Sequence, residues 1–260
     1  MVDVHVEVVI GLLLLACAYC WGVGPVRRRF GSADRFPRAQ ALAYFGGLTV
    51  IGVALNGPLH ALADRSLFSS HMIQHLLLML VAPPLLLAGM PGWLLSPLLS
   101  ARGVARIGRA LVQPIAALAI PNAVLAAWHL PLLFDWAMRE HGLHILQHLM
   151  LMGGGLLMWW PILSPAPELP RLSPPAQMLY LFIAGLPMAL VGALIALADD
   201  VLYPFYGAGP QAWGLTPLAD QRAGGVIMWV PGTLVFLVAL TAVFFRWAGE
   251  EARADAHGTQ

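Results

Sequence analysis

Seven apolar stretches, near residues 6–24, 39–57, 71–90, 108–128, 143–163, 176–198 and 224–246, take up most of this chain. Each is about 18–22 residues long, enough to cross ~30 Å of hydrocarbon as a helix. Backbone inside a bilayer has to satisfy its own N–H and C=O groups, so only helices or a closed barrel can span it. The apolar/polar alternation of barrel strands is absent here. These features predict an all-α polytopic membrane bundle of about seven transmembrane helices. With 59% hydrophobic and 10% charged residues, little chain is left for a soluble domain. Residues 1–260 are therefore expected to form a single integral membrane domain, with 247–260 a short cytoplasmic tail.

The arginines predict an orientation. If the first helix runs inward, Arg27, Arg28, Arg29, Arg35, Arg38, Arg102, Arg106, Arg109, Arg171, Arg246 and Arg253 fall on the inner side, and only Arg65, Arg139 and Arg222 on the outer. The positive-inside rule then places the N-terminus outside and the C-terminus in the cytoplasm, as expected of a multi-pass protein of a bacterial inner membrane. The first stretch has no basic n-region and no small-residue cleavage pattern, which predicts a retained helix and not a cleaved signal. No lysine is present, which excludes a retinal Schiff base. Nothing in this lipid-bilayer chain calls for a nucleic-acid partner. Cys17 and Cys20 lie inside the first helix and suggest no disulfide framework; they resemble a thiolate motif by spacing only, and packing within the helix is the better reading.

Two segments repeat, His71-Met72-Ile73-Gln74-His75 and His144-Ile145-Leu146-Gln147-His148, 73 residues apart. Two crossings restore direction, so both helices enter from the same side. The preceding helices end near Asn56-Gly57-Pro58-Leu59-His60 and Trp128-His129-Leu130-Pro131. This predicts repeated two-helix hairpins of parallel topology, each bringing one histidine ahead of a pair. The last two helices read as a diverged third hairpin with Asp199, Asp200 and Asp220 at its outer end. Prolines such as Pro83, Pro84, Pro114, Pro161, Pro187 and Pro231 predict kinks and not breaks, and Gly153-Gly154-Gly155 predicts close helix contact. The long segment from Asp199 to Asp220, with Tyr203, Phe205, Tyr206 and Trp213, reads as a lid over the outer site or as an interfacial aromatic belt.

Histidines four apart share one helix face. His60, His71, His75, His129, His144 and His148 thus offer up to six nitrogen donors at one depth, with His141 a further candidate, and polar groups inside a membrane generally mark a site. Such a set suits copper, zinc, iron or nickel. Met79 and Met152 follow the second histidine of each pair by four residues, as soft ligands for Cu(I) or as ordinary core filler. Gln74 and Gln147 either fix imidazole tautomers or bridge helices. Asp220 and Asp199 either complete a coordination shell or pair with Arg222.

These residues carry a resemblance. Ser70 to His75 running into Leu80-Val81-Ala82-Pro83-Pro84-Leu85-Leu86, His144 to His148 followed by Trp159-Trp160-Pro161, and Asp220-Gln221-Arg222-Ala223-Gly224-Gly225 continuing through Trp229-Val230-Pro231-Gly232 are similar to the Caa3-type CtaG family of cytochrome c oxidase assembly factors. The resemblance implies a multi-helix bacterial membrane protein that supports maturation of haem-copper oxidase by handling copper. That family is distinct from the single-helix, thiolate-based chaperones that share the CtaG name.

The expected function is a non-enzymatic metallochaperone. It takes copper, as Cu(I) or Cu(II), from the periplasmic side and holds it between the third and fifth helices, with His60 and His129 as gating or additional ligands. It then releases the ion to a cytochrome c oxidase subunit or a periplasmic copper chaperone. Competing readings are a haem or quinol-linked redox protein, a di-iron or other di-metal membrane enzyme, and a copper permease; zinc and iron stay open as the metal, as does a homo-oligomeric state.

Overall fold

The computed structural model describes residues 5–27, 38–207 and 214–258, with side chains to residue 255. Twelve helices are described, and no strand occurs among these residues. In chain order they are α1 (Val6–Val26), α2 (Arg38–Leu55), α3 (Gly57–Arg65), α4 (Phe68–Gly89), α5 (Gly92–Leu99), α6 (Arg102–Leu111), α7 (Pro114–Trp128), α8 (Pro131–Arg139), α9 (His141–Leu163), α10 (Pro174–Ala196), α11 (Pro204–Gly207) and α12 (Pro217–Gly258). Six of them, α1, α2, α4, α9, α10 and α12, are long and apolar enough to cross a membrane. Leu179, Phe182, Leu186, Leu190 and Leu194 form an exposed apolar stripe along α10, a surface suited to lipid and not to water. This is a membrane protein.

The seventh crossing departs from the sequence expectation. The stretch expected as one helix over 108–128 is instead α6 and α7, bent by 72° at the break. Arg102, Arg106 and Arg109 share one face of α6 and are exposed, a pattern that lies along a membrane surface more favourably than it enters hydrocarbon. Pro114 then starts α7 at a position where its missing N–H does no harm. At the other end of the chain α12 runs well past the expected 224–246, so that most of the tail continues the helix.

The prolines bend helices without severing them because neighbours take over the freed carbonyls. Ahead of Pro83-Pro84, residues Leu77–Val81 widen into i→i+5 turns. The carbonyl of Met79, which Pro83 cannot reach with an N–H, accepts the Trp159 indole N–H at 3.2 Å. Pro121 similarly frees the carbonyl of Ala117, and the Tyr180 hydroxyl sits 3.1 Å from it. Close approach supports the first arrangement: a Cβ on Gly155 would lie 2.5 Å from the Met79 carbonyl oxygen, so the α4/α9 contact requires glycine there.

The repeat is richer than a two-helix hairpin. Each unit is a span, a short helix and a returning span: α2–α3–α4, then α7–α8–α9, then α10–α11–α12. Both α3 and α8 have nine residues and carry proline in the first turn. All three short helices lie at one end of the bundle. The start of α1 joins them there, because the His5 backbone N–H donates to Asn56 Oδ1 at 2.9 Å.

Candidate metal centre

α4 is held at its first turn by a distant residue. Asp220 of α12 is buried, and its carboxylate accepts from the Phe68 N–H (2.6 Å), the Ser69 N–H (3.2 Å) and the Ser69 hydroxyl (2.5 Å). This meets the unpaired donors and the positive end of the helix dipole. The first imidazole, His71, follows within a turn, and helical spacing puts His75 on the same face with ring centroids 4.2 Å apart. On α9 the same spacing sets His144 and His148 at 4.4 Å.

The two pairs face each other. His71 lies 5.3 Å from His144 and 5.7 Å from His148, and His75 lies 5.7 Å from His148 and 5.4 Å from His129, all between ring centroids. One nitrogen each from His71, His75 and His148 falls within 4.8 Å of the others. An ion bound about 2.0 Å from three imidazole nitrogens needs them about 3.5 Å apart, so side-chain shifts of about an ångström or less close the set. All five rings are buried. Both nitrogens of His71 and of His75, and Nε2 of His129, His144 and His148, are buried without a hydrogen-bond partner among the described residues. Apolar surroundings make such nitrogens costly, at about 1–3 kcal/mol each, and a soft or borderline cation is the partner their chemistry fits.

Outer contacts fix which nitrogen faces the cluster. His144 Nδ1 lies 3.3 Å from Asp64 Oδ1, leaving Nε2 toward the other rings in the manner of a carboxylate–histidine–metal arrangement. The same contact holds the Asp64 carboxyl below its ordinary range. His129 Nδ1 donates to the Leu125 carbonyl at 2.7 Å, so its Nε2 carries the lone pair. His60 is different. Gln74 Nε2 donates both to the Ala54 carbonyl (2.5 Å) and to His60 Nδ1 (2.9 Å), which places the His60 proton on Nε2 and occupies its lone pair. Metal ligation by His60 requires that bond to break. Gln147, at the matching position of the repeat, is fully buried with neither amide atom paired.

An aromatic roof covers the cluster. Phe134 lies 5.1 Å and Tyr206 6.4 Å from the His71 ring, and Phe68 and Tyr203 stack beside them at 4.5 Å. The Tyr203 hydroxyl donates to the His129 carbonyl and that of Tyr206 to the Ala63 carbonyl. The α10–α12 connection thus packs Tyr203 and Tyr206 against the histidine cluster; Trp213 lies outside the described residues.

Other expected residues are placed elsewhere. The Asp220 carboxylate is engaged by the α4 terminus, and Asp199 is fully exposed with an oxygen 3.9 Å from Arg222. Met79 packs into the main hydrophobic core, whereas Met152 lines a cavity shared with His144 and His148. His141 sits with His5 and Glu7. His60 and His129 are not equivalent in the repeat: shifted by 73 residues, His60 meets Leu133 and His129 meets Asn56. Cys17 and Cys20 are free and exposed on the apolar α1. Sequence reasoning missed Asp64, Phe134 and His5. Asp64 was legible only as a lone acid on a short amphipathic helix, and His5 only as a terminal residue.

Comparison with known proteins agrees with this architecture. A profile of the cytochrome c oxidase caa3 assembly factor family, Caa3_CtaG, matches residues 17–250. The chain belongs to this family. Among curated relatives, proteins of Mycobacterium bovis and Mycobacterium tuberculosis are each 26% identical over 257 residues and one of Mycobacterium leprae 25% over 259, all three carrying the name uncharacterized protein. Each match covers 93% of this chain and 38% of the relative, so the chain spans less than half the length of these proteins. No solved structure gives a significant match. The family is described as cytochrome c oxidase caa3 assembly factors.

Proposed function

We propose that this chain is a non-enzymatic copper carrier for oxidase assembly. Copper is its cargo, held by His71, His75 and His148, with His129 and His144 as neighbouring donors and His60 as a gate restrained by Gln74. The observation that carries this reading is the convergence of five buried imidazoles with seven ring nitrogens lacking a hydrogen-bond partner among the described residues. Met152, beside His148 on the cavity wall, adds a thioether suited to Cu(I). The arginine distribution supports an orientation in a bacterial inner membrane with the histidine end outside and α12 ending in the cytoplasm. From that side the ion is passed to an oxidase subunit or a periplasmic copper chaperone. Binding uses neutral imidazoles, so protons compete with the ion for the same nitrogens and retention weakens as pH falls.

Copper stoichiometry of the purified protein tests the assignment. His71→Ala combined with His144→Ala is expected to abolish binding at the buried centre. Unchanged stoichiometry, or a stoichiometric Soret band in the wild type, would rule the reading out.

A further inference from the structure

A second set of donors lies outside the buried cluster and is used by nothing described so far. One nitrogen each of His5 and His141 and a carboxylate oxygen of Glu7 all fall within 4.8 Å of one another. The same Glu7 oxygen is 2.9 Å from His5 Nδ1 and 3.9 Å from His141 Nε2. The two imidazoles stack at an interplanar angle of 18° with centroids 6.0 Å apart. They come from distant parts of the chain, the residue just ahead of α1 and the first residue of α9. His5 is held in place at this meeting point. Its N–H donates to Asn56, its carbonyl accepts from Val9 N at 3.1 Å, and its ring stands edge-on to His60 at 4.5 Å.

Glu7 and His141 are exposed and His5 is half-buried, so this set meets water. A cavity of about 420 Å³ is lined by these three residues and also by His60, His144 and His148. The outer donors and the inner imidazoles thus share one space. Asp64, 3.3 Å from His144 Nδ1, also lines it, and two carboxylates along a partly apolar cleft draw cations inward. His5 and Glu7 precede residue 17, where the family match begins.

We propose that His5, Glu7 and His141 form a separate, water-facing capture site for copper, from which the ion moves through the shared cavity to the buried imidazoles. The inference rests on the copper-carrying reading above. Two imidazoles and a carboxylate suit copper as a borderline ion. Three protein donors leave coordination positions for water or an incoming imidazole, so the ion exchanges readily. Transfer is ligand exchange, each leaving donor replaced by an entering one, with no change in oxidation state.

The test uses the full chain in detergent micelles, titrated with Cu(II) and followed by equilibrium dialysis and electron paramagnetic resonance. The variants are His5→Ala with His141→Ala, the milder Glu7→Gln, and His148→Ala as the inner control. The expected result is a wild type with a distinct outer signal that the double variant loses. The inner signal should persist but fill about tenfold more slowly or worse, the scale on which even an outer partner's loss acts. His148→Ala should keep the outer signal. If the double variant and Glu7→Gln bind and fill as the wild type does, the capture site is refuted while the buried centre stands. If no protein binds copper, the carrier reading falls and the capture site with it.

Discussion

His71→Leu separates a binding centre from ordinary packing. His71 is completely enclosed, and neither ring nitrogen has a hydrogen-bond partner among the described residues. Each unmade buried donor or acceptor costs about 1–3 kcal/mol, so the pair destabilises the metal-free protein by roughly 2–6 kcal/mol. Leucine has no polar atom and similar bulk. Its branched shape fits less well against Phe134, His75 and His144, and misfit of this kind returns about 1–3 kcal/mol. Taking the middle of each range, the expected net gain for the metal-free protein is about 2 kcal/mol, which at 2–4 °C per kcal/mol raises Tm by about 4–8 °C. Copper at a hundred times its Kd should stabilise the wild type by about 2.7 kcal/mol. The variant should lose most of that increment. Thermal unfolding in micelles by circular dichroism, with and without copper, reads both quantities. A variant that melts lower than wild type without metal, and keeps its full copper increment, would refute the reasoning.

Asp64→Asn should weaken copper affinity by about 10- to 100-fold by removing the partner that orients His144, measurable by chelator competition. Because the Asp64 carboxyl titrates below its ordinary value, the stability it contributes is complete above that value and is lost as pH falls through the lowered one. The variant's stability should therefore depend less on pH below about 4, as Tm against pH would reveal. Asp220→Ala frees the N–H groups of buried Phe68 and half-buried Ser69 and should cost about 1–2 kcal/mol, with Asp220→Asn recovering part of it. Gly155→Ala forces a Cβ to within 2.5 Å of the Met79 carbonyl oxygen and should destabilise by about 1–3 kcal/mol; a Tm equal to wild type would contradict the close α4/α9 contact.

Length and hydropathy were enough to read the helical membrane fold, and the i, i+4 spacing was enough to place His71 with His75 and His144 with His148. Both depend on local periodicity alone. The bend between α6 and α7 was also encoded locally, in Arg102, Arg106, Arg109 and Pro114, but apolar flanks on both sides masked it. Long-range pairings were not legible. That Asp220 caps a helix 152 residues away, that Trp159 rescues the carbonyl freed by Pro83, and that Asp64 orients His144 depend on how helices pack. Likewise, His60 and His129 read as equivalents because each ends an outward run. Only the start of α3 shows that one lies within a short helix and the other ahead of one.

X-ray absorption at the copper edge of the purified, copper-loaded protein tests the central claim most directly. The account predicts copper with at least three imidazole nitrogens at about 2.0 Å, and loss of that shell when His75 and His148 are both replaced by alanine. A shell without imidazole, or one that survives the double replacement, would contradict it.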